Sequence, residues 1–195
     1  MKKKLMTVLA LVLVIALSVA GTYAYLTSQD TVTNTFTVGN VKITLTEPNW
    51  VESGSVDAPD VYAGEPLEKD PTVTNTGANP CFVRVSVTNL DQFGNKGAIQ
   101  YRNANYQVGQ LNEGWVYHDG YFYYTKVLAA DAVTTPVFSS IVMPTGLTGG
   151  ENAEDIVVTA YAVQAQGAKA SWSAVQNMTV EEIAAWFNTC MPTTP

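Results

Sequence analysis

Short stretches of alternating apolar and polar residues, divided by Gly, Asn and Pro, constrain this chain more than any other feature of its sequence. In residues 82–88, Val83, Val85 and Val87 alternate with polar side chains, which is the period of a half-buried strand. Residues 155–164 are apolar on both faces, which indicates a central strand. Because no helical pattern separates these stretches, we predict an all-β fold, an antiparallel sandwich rather than a sheet with crossover helices.

Local signals add a hairpin and a helix to this fold. Residues 115–124 place aromatic side chains on both sides of Asp119-Gly120, a pair that supplies the positive φ angles of a tight turn. Residues 179–182 read TVEE, the pattern of a capping box, in which Thr and Glu satisfy the first backbone N–H groups of a helix. We therefore expect a short C-terminal helix over residues 179–189.

The N-terminus, residues 1–24, has the pattern of a secretory signal peptide. Three lysines precede an apolar run over residues 5–20, and the small residues Thr22 and Ala24 precede the expected cleavage before Tyr25. The longer stretch over residues 5–26, which Thr7, Ser18, Thr22 and Tyr23 interrupt, is also long enough to span a bilayer as a helix. An uncleaved anchor is therefore the alternative to a removed signal.

Length and charge limit what the secreted part can be. The chain has 195 residues, so residues 25–195 fit one β-sandwich domain. Its formal net charge of −7 comes without a basic cluster, and nucleic-acid binding needs Lys and Arg to neutralise phosphates. We expect neither a nucleic-acid partner nor, once the signal is removed, contact with a membrane.

Two cysteines, Cys81 and Cys190, are the whole cysteine content of the chain. Outside the cell they could pair, and a disulfide that closes so long a loop stabilises by about 4 kcal/mol in the chain-entropy model. Two free thiols are the equal alternative, because two residues alone do not define a disulfide framework.

The sequence offers little for catalysis. The single histidine, His118, falls in the predicted hairpin turn beside Asp119, and no HExxH pattern supplies zinc ligands. Acidic residues cluster around Glu68 and around Glu154, but their spacing is not that of a calcium loop. We predict no catalytic residue, no metal site and no cofactor, and we expect the protein not to be an enzyme.

The hairpin aromatics allow two interpretations. Trp115, Tyr117, Tyr121 and Tyr123 could form a surface on which a sugar ring stacks. Aromatic residues on paired strands more often pack within the sheet. Both interpretations stay open at the level of the sequence.

Several motifs together resemble the TasA/camelysin family. Residues 22–27 read TYAYLT, residues 34–41 read NTFTVGNV and residues 69–77 read KDPTVTNTG. Residues 119–124 (DGYFYY) and 160–164 (AYAVQ) extend the similarity along the chain. In this family the precursors are cut by a signal peptidase of the SipW type, which the resemblance makes a partner of this chain.

The resemblance implies a jelly-roll-like sandwich, secreted to the extracellular biofilm matrix or cell surface of a Gram-positive bacterium. It also implies fibres in which the N-terminal strand of one subunit completes the sheet of the next, so that the partner is a second copy or a related matrix protein. The donor strand would be residues 25–38, with Val32, Phe36 and Val38 as anchors and Asn34 as an interruption.

Two rival functions follow from the same residues. A monomeric surface module could bind a polysaccharide or host ligand through the aromatic hairpin. Camelysin-like members have also been described as metallopeptidases. Because this chain lacks a recognisable zinc motif, we do not carry that activity over.

Overall fold

A computed structural model describes residues 40–54, 61–91, 93, 96–147 and 155–191. The predicted signal peptide, its cleavage between Ala24 and Tyr25, and the donor segment 25–38 lie outside these residues. Within them, no helix is both long and apolar enough to cross a membrane.

Antiparallel strands dominate the described part of the chain, which confirms the predicted all-β sandwich class. The strands form a two-stranded sheet in the order β1-β3, a three-stranded sheet in the order β2-β8-β5 and a four-stranded sheet in the order β6-β7-β4-β9. Their bounds are β1 Ile43–Thr46, β2 Pro66–Glu68, β3 Thr72–Asn75, β4 Cys81–Val87, β5 Gln100–Arg102, β6 Trp115–His118, β7 Tyr121–Leu128, β8 Ser140–Val142 and β9 Val158–Gln164.

The sheets enclose the larger of two hydrophobic clusters, here called the main core. It draws buried side chains from all three sheets, and alternate residues of β4 point into it. Burying such side chains is the dominant favourable term in folding. Its buried members are Leu67, Val73, Cys81, Val83, Val85, Leu90, Phe93, Ile99, Trp115, Phe122, Tyr124, Leu128, Val137, Phe138, Ile141 and Met143.

The predicted hairpin is confirmed. Strands β6 and β7 pair from Trp115 opposite Tyr124 to His118 opposite Tyr121. The two residues between them both have positive φ, 45° at Asp119 and 82° at Gly120. That is the geometry of the type I′ turn, whose twist matches the twist of the strands it joins.

Two helices follow the last strand, α1 over Trp172–Gln176 and α2 over Val180–Cys190. The predicted capping box is present: Thr179 Oγ1 accepts from the Glu182 amide, and the Glu182 carboxylate accepts from the Thr179 amide. Losing such a cap typically costs about 1 kcal/mol. The cap fixes where α2 begins, and therefore which side chains it turns toward the sheet.

Helix α2 covers the second face of the four-stranded sheet and creates a second cluster, here called the helix-side core. Phe187 and Ile183 of α2 are fully buried there against Phe82 and Tyr123 of the sheet. Val163, Ala165, Val175, Met178 and Ala184 complete its buried members. Strand β4 is thus buried on both faces.

The prediction of a central strand over residues 155–164 is wrong. Strand β9 occupies the edge of its sheet and pairs only with β4 among the described strands. Its two apolar faces have another cause: Val158 and Ala160 pack against the main core, while Tyr161 and Val163 pack against the helix-side core. An apolar face indicates that other side chains pack on that face of the strand. It does not indicate how many strands pair with its edges.

Candidate functional site

A groove separates two strand edges that have no partner among the described residues. Strand β1 pairs on one side with β3, and strand β9 pairs on one side with β4. The two strands lie close together, yet belong to different sheets and are not paired with each other. An unpaired strand edge presents a row of free N–H and C=O groups, which is a template for another strand.

The groove has a volume of about 620 Å³, within the range of peptide and ligand sites. Leu45 and Thr46 of β1 form one wall, Val158 of β9 the other, and the segment after β1 closes the end. The remaining lining residues are Glu47, Pro48, Trp50, Val51 and Glu52. Leu45 and Val158 also pack against the main core, so the groove opens toward the apolar interior.

A π-helical turn over Trp50–Gly54 forms the closed end of the groove. Lys69 anchors this turn from beneath: its Nζ lies 3.0 Å from Glu47 Oε1 and 4.5 Å from the centre of a Trp50 ring. Lys69 is only 3% exposed, and burial strengthens a charge pair relative to one in water. The ion pair and the cation–π contact therefore fix the groove end to strand β2.

Asp70 holds the same turn at its start. Its Oδ1 accepts hydrogen bonds from the backbone N–H groups of Asn49 at 3.0 Å and Trp50 at 3.3 Å. A carboxylate at this position satisfies the free N–H groups of a helical turn. The cluster of acidic residues near Glu68 thus contains a structural cap, not only solvated loop charges.

Asn75 is a fully buried hub between β3 and the end of β7. Its Nδ2 donates to the carbonyl oxygens of Asn79, Leu128 and Ala129, at 2.9 to 3.1 Å. Its Oδ1 accepts from the Gly77 amide at 3.0 Å. One amide side chain therefore contacts four backbone groups, with its two N–H hydrogens shared among three carbonyl oxygens. The Ala129 carbonyl oxygen also accepts from the Ala132 amide.

Gly77 allows the chain preceding β1 to lie against this hub. A Cβ at this position would lie 2.6 Å from the Asn40 carbonyl oxygen and 2.6 Å from the Lys42 nitrogen. The Thr76 amide donates to the Lys42 carbonyl oxygen at 2.8 Å. The KDPTVTNTG motif thus holds in place strand β1 and the turn that line the groove, although its own residues do not line it. The resemblance alone did not reveal this role.

The structure divides the hairpin aromatics that were candidate ligand contacts. Trp115 is 5% exposed and donates from Nε1 to the Thr135 carbonyl oxygen, and Tyr123 is 2% exposed. Neither ring is available to stack on a sugar. Tyr117 is exposed, and Tyr121 is half-buried beside Arg84.

The two cysteines are free thiols in this structure and lie on different faces of the sheet. Cys81 points into the main core, and burial raises the pKa of its thiol to about 11. Cys190 is exposed at the end of α2, on the opposite face. A raised pKa keeps the Cys81 thiol protonated and unreactive at neutral pH.

His118 is partly exposed in the hairpin, with Nε2 3.3 Å from Asp119 Oδ2. The described ranges contain no group of three His, Cys, Asp or Glu side chains arranged to hold a metal ion. The predictions of no metal, no cofactor and no enzymatic activity stay predictions.

In the described part of the chain, the fold is all-β and sandwich-like, and strands β1 and β9 each have one edge without a strand partner beside an apolar cleft. Residues 1–88 match the sequence model of a family described as camelysin metallo-endopeptidase, which confirms the TasA/camelysin resemblance over this part of the chain. The match covers less than half of the chain and supports, in broad terms, a surface or matrix protein. The search of curated proteins and the search of solved structures each found no match.

Proposed function

We propose that this protein is a secreted matrix subunit that assembles head-to-tail, with residues 25–38 of one copy seated in the groove between β1 and β9 of the next. The observation that carries the proposal is that β1 and β9, each paired on one side only among the described strands, both line the same apolar groove. A strand inserted there finds main-chain partners at either edge, which is how strand addition gains affinity.

The side-chain pattern of the segment suits this groove. Val32, Phe36 and Val38 fall on one face of an extended strand, and threonines fall on the other. The apolar face would join the main core beside Leu45 and Val158, whose side chains already contact it. A repeat of such contacts that does not close on itself gives an open filament.

The main alternative is that the segment binds the sandwich of its own chain instead of a neighbour's. Gly39-Asn40 is a pair that closes two-residue hairpins, so residues 33–38 could also fold back along the free edge of β1. The fold-back state and the assembled state use the same groove. Assembly depends on protein concentration, whereas fold-back within one chain does not.

Val158→Lys tests the groove directly. The ammonium group is placed in an apolar cleft that an incoming strand must fill, and burying an unpaired charge is costly. We expect the variant to stay monomeric and folded, because the lysine can extend into the empty groove toward water. Sedimentation velocity and electron microscopy of the purified protein measure the loss of filaments.

Val116→Lys is the matched control. Val116 lies on β6, the opposite edge of the same sheet, and is 39% exposed. This variant should form filaments normally. Loss of assembly in Val116→Lys together with normal assembly in Val158→Lys would move the accepting edge from β9 to β6 and overturn the proposal.

The family description also names a metallo-endopeptidase, whereas the role proposed here is not enzymatic. We expect the purified protein to leave casein intact, because no described cluster offers three metal ligands. Gel electrophoresis of casein, incubated with and without zinc, measures this. Cleavage that zinc supports and a chelator abolishes would contradict the non-enzymatic role.

A further inference from the structure

Arg84 is a buried cation without a counter-ion. It lies on β4, on the face that α2 covers, and is 5% exposed. None of the ion pairs among the described residues includes it. A charge taken out of water without a partner is strongly disfavoured, so this position calls for a compensating group.

Aromatic rings supply part of the compensation. The guanidinium carbon lies 4.0 Å from the ring centre of Tyr121, 4.6 Å from that of Phe187 and 5.4 Å from that of Tyr161. Each ring face attracts the positive charge. A ring face does not, however, replace the acceptors that the N–H groups need in the guanidinium plane.

In that plane, most of the hydrogen-bonding capacity is unused. A guanidinium has five N–H donors, and among the described residues the one acceptor is Tyr123 Oη, 3.3 Å from Nη1. Nε is enclosed without any acceptor. Buried polar groups are almost always satisfied, so the unfilled plane is an exception that points to a missing acceptor.

Solvent can approach the guanidinium plane of Arg84 on the side where Tyr121 and Tyr161 lie, among the rings that surround it. Phe187 and Tyr123 are fully buried, whereas Tyr121 and Tyr161 are half-buried and meet edge-to-face with ring centres 6.0 Å apart. Rings in such contact leave no gap between them, so a ligand would approach the guanidinium edge past their exposed side and could also accept from their hydroxyl groups.

We propose that this Arg84 box, formed by Arg84, Tyr121, Tyr123, Tyr161 and Phe187, binds the carboxylate of a small organic acid. A carboxylate is planar and matches the planar guanidinium fork with two parallel hydrogen bonds. The chain's formal net charge of −7 disfavours ligands with more than one negative charge. One carboxylate therefore fits better than a phosphate.

The direct test follows the Nε–H resonance of Arg84 by ¹⁵N NMR while the purified protein is titrated. Acetate and glucuronate should each shift this resonance to saturation with a millimolar dissociation constant, and neutral methyl glucoside should not shift it. Inorganic phosphate should bind more weakly than acetate. An Arg84 resonance that stays unshifted up to about 100 mM acetate, a hundredfold above a millimolar constant, would overturn the proposal.

Arg84→Lys tests the fork without removing the charge. Lysine presents a point charge instead of paired donors, so acetate should bind about tenfold more weakly or not at all. Because this variant has no Arg84 resonance, the ring resonances of Tyr121 and Tyr161 follow the titration in both proteins. Lys126→Met is the control, because Lys126 is a fully exposed cation on β7, paired with Glu113. Its acetate affinity should equal that of the unmodified protein. Equal affinity in Arg84→Lys would refute the site, and if that variant does not fold, the titration of the unmodified protein decides.

Discussion

Removing residues 25–38 is expected to leave a folded, monomeric protein that forms no filaments at any concentration. The described strands, both cores and the groove all lie C-terminal to this segment, so the sandwich keeps the contacts that hold it together. What is lost is the strand proposed to fill the neighbour's groove. Electron microscopy and sedimentation velocity of the truncated and the longer chain measure the difference.

Adding the segment back as a free peptide sharpens this experiment. A peptide of residues 25–38 should bind the truncated protein and raise its melting temperature, since a ligand at one hundred times its dissociation constant stabilises by about 2.7 kcal/mol. A control peptide with Val32, Phe36 and Val38 replaced by Thr should not. Normal filaments from the truncated chain, or equal stabilisation by both peptides, would exclude donor-strand assembly.

Asn75→Ala is expected to lower the free energy of unfolding by about 3–5 kcal/mol, a large fraction of the stability of a typical domain. The substitution removes one fully buried amide, which donates to the carbonyl oxygens of Asn79 and Leu128 and accepts from the Gly77 amide; the third carbonyl oxygen, of Ala129, keeps the Ala132 amide as a donor. Each such group loses its protein partner without regaining water. Urea denaturation monitored by tryptophan fluorescence measures the change.

Asn105→Ala is the matched control for this prediction. Asn105 is an exposed asparagine in a surface loop, and the same atoms are removed from a place where water can replace them. Its effect should stay within about 0.5 kcal/mol, as for most surface substitutions. Similar losses in the two variants would show that Asn75 is not the hub that its hydrogen bonds indicate.

Local patterns predicted the elements of this fold well, because their causes are local. The positive φ angles at Asp119 and Gly120 and the cap at Thr179 depend on residues within one turn of each other. The alternation of Val83 and Val85 likewise identified a face of β4 that lies in the main core.

Features that depend on distant partners were not predictable in the same way. The polar side of β4 suggested a solvated face, yet α2 covers it and Arg84 is buried there. The groove could not be located either, because Leu45 and Val158 are far apart in sequence and meet only in the folded chain. The KDPTVTNTG motif carried the family resemblance without indicating that it supports β1, which forms one wall of the groove.

The attachment of β1 has a mechanical consequence for any filament pulled through its N-terminal segments. Tension would enter the sandwich through β1, whose backbone pairs with β3 along its whole length from Ile43 to Thr46. Bonds perpendicular to the pull share the force, whereas bonds in line with it break one after another. The Lys69–Glu47 ion pair lies directly beyond the end of β1. It would act as a clamp that resists extension of the subunit before the sandwich itself yields.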